Sequence, residues 1–237
     1  MEKINKTLEN ECPVKVVAGK VTLEGDLCIP PDANGVVVFA HGSGSSRRSP
    51  RNRYVGQIIR QVGLATLLFD LLTADEETID VQTGRYRFDI RLLANRLIGA
   101  TAWLKQNPET QNMNIGYFGA STGAAAALLA AAEHPEEVAA IVSRGGRPDL
   151  ARPALPYVKA ATLLIVGGRD LPVIAMNRDA LNELRTEKKL VIIPNATHLF
   201  EEPGAIEEVA RFASNWFVNY LTRRAVAPSA SQSARWG

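Results

Sequence analysis

The sequence has little that would commit it to a metal, a membrane or a polyanion. Its two cysteines, Cys12 and Cys28, lack C-x-x-C spacing, which leaves ordinary thiols rather than a staple or a metal knot. No metal and no cofactor are therefore expected. No sign of charge dominates: a net charge of +2 with 22% charged residues excludes the broad basic field of a nucleic-acid binder. No apolar run reaches the roughly 18 residues of a membrane span, and the N-terminal stretch MEKINKTLENECPVKVV has no apolar segment of leader type. The expectation is a cytoplasmic chain with no membrane partner, either monomer or homodimer.

What is present is a rhythm of short apolar runs. Val14–Val17 and Val21–Ile29 read as opening strands around Gly19 and end at Pro30-Pro31. VVVFA (36–40) is too short for a helix and too continuous for a half-exposed strand, so it is buried on both faces. Strands follow at 65–70, 114–119, 138–143, 161–167 and 189–194. Helices fall near 52–62, 89–106, 121–133, 173–184 and 205–220. Strands alternating with helices predict an α/β fold, a doubly wound, mostly parallel sheet covered on both faces, with functional groups at the carboxyl ends of the strands. One domain is expected over 1–222, and the Ala- and Ser-rich segment 223–237 reads as a mobile tail.

The sharpest local signal is Gly119-Ala120-Ser121-Thr122-Gly123, between a predicted strand and a predicted helix. A helix start needs only a capping hydroxyl, and a turn only one glycine. Two glycines flanking one serine indicate a bend with no room for side chains on either side, the context of a nucleophile elbow. The alanine run that follows suits a helix lying close on the sheet.

A serine becomes a nucleophile when a base takes its proton and an acid fixes that base. Of three histidines, His134 ends the helix that Ser121 starts and reads as a helix-terminal cation. His198, in the loop PNATHLF after the strand LVIIP, is the candidate base. Asp170, in Gly167-Gly168-Arg169-Asp170, is the candidate acid, with a turn or capping role as the plain alternative and Asp149 as fallback. The oxyanion donors expected are the amides of Thr122 and of Ser43 or Gly44, the latter two in FAHGSGSS.

The stretches VVVFAHGSGSSRRSPRNRYV, GYFGASTGAAAALLAA, LLIVGGRDLPV and IPNATHLFEEPGA together resemble the alpha/beta-hydrolase superfamily, and within it the dienelactone hydrolase family, over about residues 14–221. The resemblance implies Ser121, Asp170 and His198 as nucleophile, acid and base, and His41 as a residue steadying the oxyanion loop. It also marks a departure, since the family's namesakes carry cysteine at the elbow. Only about 17 residues, Arg144 to Ala160, stand where many relatives insert a cap domain, so an open site and a small-molecule ester substrate are expected. Arg47, Arg85 and Arg144 are the arginines placed to meet an anionic ester, against a solvated basic surface as the plain alternative. A serine esterase is the function these features imply. A thioesterase or peptidase with the same triad, or a non-catalytic binding module, are the alternatives.

Overall fold

A computed structural model describes residues 11–222. The tail expected at 223–237 lies outside the described residues. Eight strands form one sheet in the order β1-β2-β4-β3-β5-β6-β7-β8. They are β1 (Cys12–Ala18), β2 (Val21–Cys28), β3 (Gly35–Ala40), β4 (Ala65–Phe69), β5 (Asn114–Ala120), β6 (Ala140–Arg144), β7 (Ala161–Gly167) and β8 (Lys188–Ile193). From β4 to β8 every pairing is parallel, while β1 pairs with β2 and β2 with β4 antiparallel.

The continuous apolar strands are buried on both faces because each face has its own helices. Val36, Val38 and Ala40 of β3 join Tyr117 of β5 in the core under α3 (Ile90–Gln106) and α4 (Thr122–Glu133). Val37 and Phe39 point the other way, with Phe118, into the core under α1 (Pro50–Gln61) and α6 (Ala205–Leu221). This period-two division is what a strand buried on both sides requires. The alanines of α4 keep it low on the sheet, and Ala124–Ala127 are fully buried.

Helix starts follow local chemistry. Ser49 accepts the Asn52 N–H ahead of α1, with Pro50 in its first turn, and Asp89 accepts the Leu92 N–H ahead of α3. The apolar rhythm predicts no element between the strand at 65–70 and the helix from 89, whereas the structure forms α2 (Ala74–Thr83) there. This helix buries only Asp80 and so shows no apolar stripe. It is held instead by a capping box in which Thr73 and Glu76 each bond the other's backbone N–H. A 3-10 segment (Pro148–Tyr157) and α5 (Leu171–Glu183) complete the described elements. No cap domain covers the strand ends among the described residues, and no described helix is long and apolar enough to cross a membrane.

Candidate active site

Strand β5 ends at Ala120 and α4 begins at Thr122, so Ser121 alone makes the bend, at φ 51° and ψ −117°. A non-glycine residue at positive φ there is strained and persists only because its surroundings hold it. The Ser121 N–H donates to the Arg144 carbonyl and the Ser121 carbonyl accepts the Arg147 N–H, each at 3.2 Å. The flanking glycines have the predicted reason. A Cβ on Gly119 would lie 2.4 Å from Ala124 Cα, and one on Gly123 would lie 2.2 Å from the Ala40 carbonyl oxygen. The Ser121 side chain caps nothing in α4, so the plain helix-start alternative fails.

Asp170 and His198 meet directly, with Nδ1 of His198 2.6 Å from Oδ2 of Asp170. Asp170 occupies the N-cap position of α5 yet makes no capping bond, which frees its carboxylate for the imidazole. The approach depends on Gly167, where a Cβ would lie 2.5 Å from the carbonyl oxygens of Ala196 and Thr197. There the end of β7 and the loop after β8 touch backbone to backbone. Asp149, the fallback acid, is held by both forks of Arg147 at 2.9 and 2.8 Å.

The histidine ring packs over Gly145, whose Cβ position lies 3.5 Å from His198 Cε1, one residue beyond the carbonyl that receives the Ser121 N–H. The Ser121 hydroxyl and His198 form no hydrogen bond among the described residues. Such bonds are commonly long before substrate binds.

The oxyanion loop corrects one expectation. The Ser43 N–H donates at 3.0 Å to Oγ1 of Thr122, so this amide is occupied and is not the waiting donor. Gly44 remains, at φ 68° in a turn closed by the Ser45 N–H on the Gly42 carbonyl at 3.2 Å. The Thr122 N–H stands in the first turn of α4, where N–H groups have no intrahelical acceptor and the helix dipole favours negative charge.

His41 ties this loop to the sheet. Its Nε2 accepts the Leu71 N–H and its Nδ1 faces the Gly42 carbonyl, both at 3.0 Å, which assigns the proton to Nδ1. Burial pushes its pKa below the ordinary 6.5, against weaker upward effects of the Gly42 bond, Asp70 and Glu77. The unfolded chain therefore binds a proton that the folded chain refuses, and stability should fall as pH drops below 6.5. Thermal melts at about pH 5 and about pH 7.5 check this. His41→Asn should lower Tm at both values while weakening the pH dependence. An unchanged dependence in the variant would remove His41 as its source.

The arginines divide. Arg47 is a correction: Asp70 and Asp26 hold its guanidinium, and its N–H donates to Asp70, so ion pairing at the base of the loop takes the place of substrate contact. Arg85 is a second correction. It stays exposed beyond α2 with its guanidinium 5.5 Å from the Tyr86 ring centroid, and nothing joins it to Ser121 or His198. Arg144 is brought to the site, since its carbonyl anchors the nucleophile and its side chain is buried.

Sequence reasoning missed Asp80 and the contact it makes with Arg87. Asp80 accepts the Tyr86 and Arg87 N–H groups and binds Arg87 Nε at 2.7 Å. Burial raises its pKa, but these bonds outweigh it and hold the carboxyl below its ordinary range. They thereby place Nη1 of Arg87 3.8 Å from the Cβ position of Gly44, against the oxyanion loop. The capping box Thr73-x-x-Glu76 was the signal for the helix that carries Asp80. Among the described residues no group of three or more His, Cys, Asp or Glu could hold a metal.

Comparison with known proteins gives a consistent picture. The profile of the dienelactone hydrolase family matches residues 23–222. A structure titled as dienelactone hydrolase from Anabaena variabilis is 66% identical, covers 90% of this chain and 98% of its own, and superposes with a TM-score of 0.88. The esterase structure Est1E from Butyrivibrio proteoclasticus shares the fold at 14% identity and a TM-score of 0.74, covering 87% of this chain and 98% of its own. A protein of Mycobacterium tuberculosis with the provisional name phosphoribosyl transferase Rv0571c is 54% identical over 208 residues, which are 88% of this chain and 46% of that one. The chain thus spans about half the length of the curated relatives it matches.

Proposed function

The chain belongs to the dienelactone hydrolase family, and from that premise we propose that it is a serine hydrolase that cleaves small carboxylic esters through an acyl-enzyme intermediate. The observation that carries the reading is the 2.6 Å contact between His198 Nδ1 and Asp170 Oδ2, in a chain that also sets Ser121 on a strained bend. With Nδ1–H given to Asp170, Nε2 is the free acceptor for the Ser121 proton. Ser121 Oγ attacks the ester carbonyl as Nε2 takes its proton, and Asp170 stabilises the imidazolium. The Thr122 and Gly44 amides receive the oxyanion. The imidazolium then protonates the departing alcohol, and a water activated by the same nitrogen releases the acid and restores the serine.

The name of the tuberculosis relative describes a protein of which the match covers 46%, and phosphoribosyl transfer has no use for a serine elbow. A fluorophosphonate probe tests the reading directly. One phosphonyl group should attach at Ser121, located by peptide mass, and folded protein that stays unlabelled would count decisively against it.

Thr122 is expected to matter through its side chain as well as its amide. Its hydroxyl is the acceptor that holds the Ser43 N–H and so fixes the loop carrying Gly44. Thr122→Val should lower kcat by about 10- to 100-fold with little change in KM, because small misplacements of a donor are costly. Thr122→Ser should recover most of the loss. Equal kinetics for the Val and Ser variants would show that the hydroxyl has no part in positioning.

A further inference from the structure

One short segment brackets the nucleophile. The Ser121 N–H donates to the Arg144 carbonyl, the Ser121 carbonyl accepts the Arg147 N–H, and Gly145 between them lies under the His198 ring. Residues 144–147 thus touch the backbone of the serine and the ring of the base together. Past the end of β6 the Gly145 N–H still reaches the sheet, donating to the Ile165 carbonyl at 2.8 Å. The Gly146 carbonyl is held from outside the sheet, by Nδ2 of Asn177 at 3.0 Å.

Asn177 belongs to α5 and is fully buried. Its Nδ2 also donates to the Val173 carbonyl, one turn back in the same helix, at 2.8 Å. Both amide protons therefore meet carbonyls, which fixes the orientation of the amide. Its Oδ1 is buried with no partner. Asparagine is a weak helix former, and a buried polar atom left unpaired lowers stability. Leucine would avoid both penalties, and what asparagine provides in return is a grip on Gly146. That glycine is itself pressed onto the sheet, since a Cβ there would lie 2.0 Å from Ser143 Oγ. At the N-cap of α5 stands Asp170, which holds His198.

We infer that Asn177 is a positioning residue of the active site. Through the Gly146 carbonyl it ties the segment that brackets Ser121 to the helix that begins at Asp170, and so sets the nucleophile in register with its acid and base. The effect on turnover rests on the hydrolase reading, whereas the tie itself does not.

The test compares wild type, Asn177→Leu and Asn177→Asp. Leucine keeps the bulk and removes the donor. Exchange of the Ser121 and Arg147 N–H groups, followed by NMR, should quicken about 10-fold in Asn177→Leu while the N–H groups in the middle of β5 and β6 stay protected. Below its melting temperature this variant should turn over p-nitrophenyl acetate with kcat about 10- to 100-fold lower and KM little changed, the mark of a misplaced nucleophile rather than a lost binding contact. Asn177→Asp should recover part of the loss, because burial favours the neutral carboxyl, whose O–H can reach the same carbonyl. Should Asn177→Leu fail to fold, Asn177→Ala, which adds no bulk, takes its place with the same expectations.

A lowered melting temperature with wild-type kcat in the folded variant would make Asn177 a structural residue only and overturn the inference. Unchanged exchange at Ser121 and Arg147 would overturn it too, since the tie would then not reach the bend. Faster exchange in the variant, in a protein whose wild type neither turns over ester nor takes a fluorophosphonate, would leave the tie standing and remove the hydrolase reading. Wild-type turnover with exchange and kcat unchanged in the variant would do the reverse.

Discussion

Ser121→Ala is expected to remove ester hydrolysis by on the order of 10⁶ in kcat, leaving what oxyanion donors and binding alone provide. The size follows from geometry. Asp170 holds Nδ1 of His198, so the imidazole has one nitrogen left, and without the serine hydroxyl that nitrogen can only activate water. Such a loss is informative only if the variant folds, and the structure indicates that it does. The hydroxyl caps no helix, and the anchoring bonds to Arg144 and Arg147 are made by the backbone. Turnover of p-nitrophenyl acetate and a thermal melt together check this. A variant with wild-type melting and activity within tenfold of wild type would move the chemistry to another residue.

Gly123→Ala is expected to unseat the bend itself. The added methyl would lie 2.2 Å from the Ala40 carbonyl oxygen and 2.5 Å from that of His41, and neither is a side chain that can turn aside. Relief requires α4 to lift from the sheet or the oxyanion loop to move outward. Overpacking against backbone costs about 3 kcal/mol or more, which for a domain of this size lowers Tm by roughly 10 °C. Because the displaced backbone leads into Gly42–Gly44, activity should be lost even at temperatures where the variant remains folded. A melt within a degree or two of wild type would mean that the tight packing at 123 does not exist in solution. Gly63→Ala is a useful contrast. That glycine has positive φ but open space around it, so it should show only backbone strain.

The bend was legible because its signal is local: two glycines at fixed offsets from a serine, between a strand and a helix. The positions of Asp170 and His198 were legible for a related reason, since each follows its strand by a few residues. Asp149 remained an alternative until its bond to Arg147 appeared, a contact two residues away that sequence permits but does not require.

The arginines show where reading the chain stops. Arg47 finds Asp26 on β2 and Asp70 just after β4, and Arg53 finds Glu11 ahead of β1, pairings set by the fold rather than by spacing along the chain. Arg144 is not set apart by its sequence surroundings, yet the fold buries it with no carboxylate in reach among the described residues. Ser43 and Gly44 both stand in the loop off β3 that offers exposed amides, but the acceptor that occupies the Ser43 amide comes from Thr122, just after the neighbouring strand β5. Helix α2 escaped notice because periodicity reports burial, and this helix buries almost nothing.

Strand order has a consequence for synthesis. The sheet runs outward from β5 through β6 and β7 to β8, so the Ser121 hydroxyl is made three strands before the His198 imidazole, which follows the last described strand. A growing polypeptide therefore carries the Ser121 hydroxyl without its imidazole until the loop after β8 has been made. Ser121, Asp170 and His198 can be brought to one end of the sheet only when its final edge docks.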